Sequence, residues 1–155
     1  MVSVLFVCLG NICRSPLAEA ALRAEAERVG LSVEVESAGT GDWHVGHPPD
    51  PRAVAVAERN GIDISAKKAR LVTPDDFRRF THIIALDLQN MKNLEAMRPA
   101  NATARLSLLL DHVSGREGAS VADPYHGDER HFDETWRDVA QGARALARTL
   151  QGQGG

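Results

Sequence analysis

Apolar residues run almost without interruption from Val2 to Cys8 and give way at Gly10, the imprint of a central strand buried on both faces. Directly behind it, Ser15 is placed to cap a helix with Pro16 at its first position, and Leu17, Ala20, Ala21 and Ala24 recur at helical spacing. Residues 32–37 alternate apolar and polar, as an edge strand with one exposed face does. Asp50 and Pro51 open a second helix that stops at Asn60-Gly61. Thr73-Pro74-Asp75-Asp76 has the form of a capping box ahead of Phe77 and Phe80. Residues 82–86 predict a short strand, Leu88 to Met97 a helix with Met91, Leu94 and Met97 on one face, and residues 105–110 a fourth strand. Phe132, Trp136, Val139, Ala143, Leu146 and Leu150 step by 4, 3, 4, 3 and 4, which marks a long amphipathic closing helix.

Strands alternating with helices predict a parallel α/β sheet with right-handed crossovers. Ligands of such sheets bind outside the carboxyl ends of the strands, which directs attention to the turn between Cys8 and Ser15. No repeat or linker divides the 155 residues, so one domain over residues 1–150 is expected, with a polar, Gly-rich tail at 151–155 disordered. A net charge of −3 gives no general electrostatic footprint for nucleic acid or anionic lipid. An anion must therefore be held by a local site. No apolar stretch approaches the ~18 residues of a membrane span, and no basic flank or cleavage site frames the first apolar run. The expectation is a cytoplasmic protein that binds neither membrane nor nucleic acid. Cys8 and Cys13 are the only cysteines, too few for a disulfide framework or a four-thiolate zinc site. The six histidines form no known ligand spacing, so no metal and no cofactor is expected, and solvated or capping roles suit them better.

Chemistry concentrates in Cys8-Leu9-Gly10-Asn11-Ile12-Cys13-Arg14-Ser15-Pro16. A cysteine ends the strand, Gly10 and Asn11 permit unusual dihedrals, and the helix starts immediately after. A loop of this kind aims several backbone N–H groups at one point, reinforced by a helix N-terminus, and forms a nest for a tetrahedral dianion. Arg14 adds a planar fork able to grip two phosphoryl oxygens, which a lysine could not do. The same positive surroundings favour thiolate over thiol and predict a Cys8 pKa below the free value of about 8.5. Nucleophile and anion site are then one device.

This segment resembles the signature of low-molecular-weight protein tyrosine phosphatases, and Asp123-Pro124-Tyr125 resembles the family's distal acid motif. Ser37-Ala38-Gly39-Thr40, Gly46-His47-Pro48-Pro49-Asp50 and Lys68-Ala69-Arg70 fall in the same order. The resemblance implies a single-domain four-stranded parallel sheet with helices on both faces and a phosphate-binding loop after the first strand. It also implies metal-independent hydrolysis through a phosphocysteine. Cys8 would attack phosphorus, and Arg14 with the loop N–H groups of Leu9, Gly10, Asn11, Ile12 and Cys13 would hold the oxygens. A tyrosyl leaving group, with a conjugate-acid pKa near 10, needs a proton donor. Asp50 and Asp123 both precede proline, so the dipeptide does not choose between them; the resemblance selects Asp123.

Ser15 would stabilise the sulfur as well as cap the helix, and Asn11 would lock the loop through a polar network that includes Ser37. The family pattern would place a histidine at position 67, where this chain has Lys67, and Lys67 is expected to point to solvent. Trp43 and Tyr125 map to aromatic walls of the substrate cleft, although loop packing accounts for Trp43 almost as well. His126 stands where many relatives carry a second tyrosine. Cys13 either traps oxidised Cys8 as a disulfide or packs beneath the loop.

The implied partner is a phosphotyrosyl protein, with a cognate tyrosine kinase as candidate counterpart, and the expected assembly is a monomer or weak dimer. An arginine phosphatase of the same fold is the alternative, disfavoured by apolar Ile12 where such relatives carry a hydroxyl. A thioredoxin-coupled arsenate reductase would need cysteines beyond Cys13.

Overall fold

In the computed structural model, which describes residues 1–154 and the side chains of residues 1–152, the first apolar run is strand β1 (Val2–Cys8). Successive side chains of a strand point to opposite faces. Accordingly Val4, Phe6 and Cys8 enter one buried cluster while Leu5 and Val7 enter another on the opposite face. That two-sided burial makes the segment continuously apolar and puts it inside the sheet.

β1 pairs in parallel with β2 (Val33–Gly39) on one side and β3 (His82–Ala85) on the other, and β4 (Arg105–Leu108) completes the order β2-β1-β3-β4. The alternating segment is the edge strand, as its pattern requires. On the first face α1 (Arg14–Val29), α2 (Pro51–Arg59) and α5 (Glu129–Gly154) cover Phe6 and Ile84, with Leu17, Val56, Phe132 and Leu146 fully buried. The second face is covered by α3 (Asp76–Arg79) and α4 (Leu88–Met97), which contribute Phe77 and Leu94 and are joined by Phe80. The expected four-stranded parallel sheet between helices is the fold observed.

Three local expectations differ. The fourth strand ends at Leu108 and residues 109–112 form a 3₁₀ turn, because Asp111 accepts from the Leu108 and Gly118 N–H groups and draws the chain away from β3. Ser15 does not cap α1, since Cys13 is the residue at its N-cap and the Ser15 hydroxyl is engaged elsewhere. Of the tail expected to be disordered, residues up to Gly154 continue α5 beyond the fully buried anchor Leu150, and Gly155 lies outside the described residues. No helix of the described residues is long and apolar enough to cross a membrane.

Candidate active site

All four strands end at one edge of the sheet, with Cys8 level with Gly39 and Val7 level with both Ala38 and Ala85. The loop between β1 and α1 turns back over that edge. Asn11 sits there at φ 57°, the left-handed region that an asparagine tolerates. Its side chain is held at both ends: the Arg70 N–H donates to Oδ1 at 3.0 Å, and Nδ2 donates to Ser15 Oγ at 2.8 Å. The Ser15 hydroxyl, which accepts from Asn11, also lies 2.9 Å from Cys8 Sγ and 3.5 Å from the Ala38 carbonyl, so its one proton is available to a Cys8 thiolate.

Among the described residues, no backbone N–H from Leu9 to Ser15 donates to a protein acceptor. Most of this segment is buried, and buried N–H groups left unpaired by the protein call for a ligand that accepts from them. They lie between the end of β1 and the first turn of α1, where unpaired N–H groups are available to an anion.

Arg14 is 3% exposed and is fixed along one edge. Both Nη1 protons are committed, to Asp87 Oδ2 at 2.7 Å and to the Val121 carbonyl at 2.9 Å. Nε and Nη2 are left as a two-pronged donor, with Nη2 lying 3.7 Å from Asp123 Oδ2. Burial works against the charge, but the Cys8 sulfur, the Asp87 hydrogen bond and charge, and Asp123 outweigh it and hold the guanidinium above its ordinary range. For the Cys13 thiol the balance is opposite. Burial, then the charges of Asp50, Cys8 and Asp123, push it well up, against a smaller pull from Arg52. Both cysteines are buried and free.

The loop floors a pocket of about 250 Å³. Cys8, Arg14 and Asp123 meet there, with Leu9, Gly10, Ile12 and Cys13 on the floor and Trp43, His44, Tyr125 and His126 around the mouth. Trp43 is 68% exposed and Tyr125 39%, and the Trp43 ring also packs over Gly41 of its own loop. Asn11 and Ser15 act beneath the pocket and do not line it. Asp50 is outside it; its carboxylate caps α2 through the Arg52 N–H at 2.8 Å and pairs with the Arg52 side chain. Asp123 Oδ1 accepts from the Tyr125 N–H at 3.1 Å, which fixes the carboxylate relative to its own loop.

The polar network behind the loop is arranged differently from the expectation. Ser37 donates to Glu19 Oε1 at 2.7 Å, and Lys67 turns inward to pair with Glu19 Oε2 at 2.6 Å instead of pointing to solvent. Glu19 is buried and takes a further ion pair from Arg23 at 2.9 Å, so a carboxylate out of water is met by two cations. Glu19 and Asp87 carry no local sequence signal for these contacts. His44 and His126 line the pocket, His44 half-buried and His126 exposed. Among the described residues no group of three or more His, Cys, Asp or Glu is arranged to hold a metal ion.

Comparison with known proteins agrees with this geometry. The family model described as low molecular weight phosphotyrosine protein phosphatase matches residues 3–154. A Schizosaccharomyces pombe protein named low molecular weight phosphotyrosine protein phosphatase is 41% identical over 138 residues, covering 87% of this chain and 88% of that protein. The crystal structure of protein tyrosine phosphatase from Entamoeba histolytica with Hepes in the active site superposes at a TM-score of 0.92, with 30% identity over 99% of both chains. The arginine phosphatase YwlE of Bacillus subtilis, in a variant with a phosphorylated active-site serine, superposes at 0.88 with 28% identity, covering 97% of this chain and 96% of that one.

Proposed function

The chain belongs to the low molecular weight phosphotyrosine protein phosphatase family, and we propose that it hydrolyses phosphotyrosine in proteins, and small aryl phosphates, through a phosphocysteine formed on Cys8. The observation that carries this reading is the convergence of a sulfur, an anchored arginine fork, unpaired N–H groups and a carboxylate in one pocket.

The phosphoryl oxygens take the loop N–H groups together with Nε and Nη2 of Arg14, which orients phosphorus toward Cys8 Sγ. Sulfur attacks as the P–O bond to tyrosine breaks, and Asp123 gives its proton to the departing phenolic oxygen. Water, deprotonated by the Asp123 carboxylate, then attacks the phosphocysteine, and sulfur leaves as a thiolate that accepts the Ser15 O–H. The substrate ring lies between Trp43 and Tyr125, above Leu9 and Ile12. No step in this sequence requires a metal.

The likeness to YwlE raises phosphoarginine as an alternative substrate. Ile12 favours phosphotyrosine: it lines the pocket with an apolar side chain that offers nothing to a guanidinium N–H and much to an aromatic ring. The substrate partner is then a phosphotyrosyl protein, whose formation requires a tyrosine kinase. Two free thiols at the site suit the reducing cytoplasm, and we take residues 1–150 as one catalytic domain working as a monomer or weak dimer.

Initial rates on phosphotyrosyl and phosphoarginyl peptides, with EDTA present, test the assignment. The phosphotyrosyl peptide is expected to turn over and Cys8→Ser to abolish turnover while inorganic phosphate still binds. Turnover confined to phosphoarginine, or lost to EDTA, would overturn it.

A further inference from the structure

A guanidinium outside the pocket joins the two loops on which this reading depends. Arg52, in the first turn of α2, pairs bidentately with Asp50: Nε donates to Oδ1 at 3.0 Å and Nη2 to Oδ2 at 2.9 Å. Its remaining reach is spent on the acid loop, where Nη2 donates to the Tyr125 carbonyl at 2.9 Å and Nη1 to the Gly127 carbonyl at 3.0 Å. Four of the five donors in the fork are thus used, in the plane that a guanidinium fixes. The guanidinium carbon also lies 4.6 Å from the ring centroid of buried Phe132 and 5.7 Å from that of Tyr125.

Asp50 supplies the other end. Its N–H donates to the Ile12 carbonyl at 2.9 Å, in the phosphate loop two residues before Arg14. The hydrogen bonds from Arg52, led by those of its side chain, hold the Asp50 carboxyl below its usual range despite partial burial, so the anchor remains ionised. A continuous path then runs from Ile12 through Asp50 and Arg52 to Tyr125, whose N–H holds Asp123 Oδ1. Arg52 is not among the residues lining the pocket.

We propose that Arg52 is a positioning residue for proton transfer: with Asp50 as its anchor, it fixes the loop bearing Asp123 against the phosphate loop. This rests on Asp123 being the proton donor. Without the fork, the two carbonyls lose their donors and the carboxylate is no longer set at one height above the sulfur. General acid catalysis depends on that geometry, whereas binding of the phosphoryl group does not. Lysine cannot replace the fork, because one ammonium does not span two carboxylate oxygens and two carbonyls in a plane.

The test compares kcat/KM of Arg52→Ala, Arg52→Lys, Asp123→Ala and the Arg52→Ala/Asp123→Ala double variant on p-nitrophenyl phosphate and on phosphotyrosine. The first has an activated leaving group; the second needs the proton. Arg52→Ala is expected to lose about tenfold or more on phosphotyrosine relative to p-nitrophenyl phosphate, a fraction of the ~10²–10⁴ that a general acid supplies. Inhibition by inorganic phosphate should stay within about twofold of wild type, and Arg52→Ala should add less than about twofold in the Asp123→Ala background. Arg52→Lys should show the same substrate-dependent loss, which keeps the test informative if the alanine variant folds poorly. Equal losses on both substrates, or full additivity with Asp123→Ala, overturn the role of Arg52 while leaving the acid assignment intact. Equal losses for Asp123→Ala itself remove the acid assignment, and this proposal with it.

Discussion

One carboxylate, Asp87, serves both the arginine of the site and the start of a helix: Oδ2 accepts from Arg14 Nη1 at 2.7 Å, and Oδ1 accepts from the Asn90 N–H at 2.7 Å to cap α4. Because α4 packs through Leu94 into the second core cluster, the orientation of the Arg14 fork is referred to the rigid body of the fold. Preorganisation of that kind matters most for charge that is redistributed during reaction.

Asp87→Asn separates the two duties. The amide oxygen can still cap α4, but the negative charge facing Arg14 is gone. We expect kcat/KM to fall by about 10–100-fold for activated and poor leaving groups alike, since the loss lies in holding the phosphoryl oxygens. Asp87→Ala should add about 1 kcal/mol of destabilisation from the lost cap. A loss confined to poor leaving groups would contradict this role for Asp87.

How much of this was legible in the sequence depended on whether one segment carried the whole signal. β1 and α5 were readable because two-sided burial and 4-3-4 spacing imprint directly on neighbouring residues. Cys8 to Ser15 is legible as a candidate site because a thiol, a guanidinium and a helix start are contiguous there. Asp87 and Arg52 were not: each sits at the start of a helix, where an acid or an ordinary surface arginine needs no further explanation, and each meets its functional partner 73 residues away. For Ser15 only the cap fails, since a hydroxyl at a helix start has the same sequence pattern whether or not it caps; its expected place beside the Cys8 sulfur is where it lies. Lys67 looked solvated because nothing local announces that Glu19 is buried beside it.

Lys67→Met should test that buried pair. It leaves Glu19 with Ser37 and Arg23, one cation short, and is expected to cost about 1–3 kcal/mol in denaturant unfolding. Among the described residues no hydrogen bond joins Glu19 to Asn11 or Ser15, so kcat/KM should change by less than about threefold. A large catalytic loss without destabilisation would contradict the separation of the two networks.

Cys13 makes stability depend on alkaline pH. Burial keeps its thiol protonated in the folded chain beyond pH 9.0, where the unfolded chain ionises, so the unfolded state sheds a proton that the folded state retains. Stability is full below that pH and declines as pH rises past it. Cys13→Ala should flatten the decline between pH 9 and 10.5. The same protonation slows Cys13 as a nucleophile toward an oxidised Cys8. After limited peroxide treatment, dimedone should capture Cys8 at pH 7, and disulfide should overtake it as pH is raised. Complete disulfide formation at pH 7 ahead of dimedone capture would show that Cys13 is activated in the oxidised state.

Gly39 closes the sheet under the phosphate loop, and its hydrogen atom occupies space that a methyl group cannot. A Cβ there would lie 2.8 Å from the Leu9 carbonyl oxygen and 3.2 Å from the Asn11 nitrogen, both backbone atoms of the loop. Neither can yield alone, because the Leu9 carbonyl accepts from the Gly41 N–H at 2.8 Å and Asn11 is clamped between Arg70 and Ser15. Gly39 cannot yield either, with its N–H on the Arg70 carbonyl at 2.8 Å and its carbonyl accepting from Val72 at 2.9 Å. Gly39→Ala must therefore lift the loop by a few tenths of an ångström and splay the N–H groups aimed into the pocket. We expect kcat/KM to fall by about 10–100-fold, in line with what small misplacements of a reacting group cost. Phosphate inhibition should weaken in parallel, since the cradle is what moves, and the ratio of rates on activated and poor leaving groups should stay near wild type, since Asp123 lies on another loop. Wild-type phosphate affinity in a folded Gly39→Ala variant would mean that the loop does not bind through the N–H groups aimed from Leu9 to Ser15.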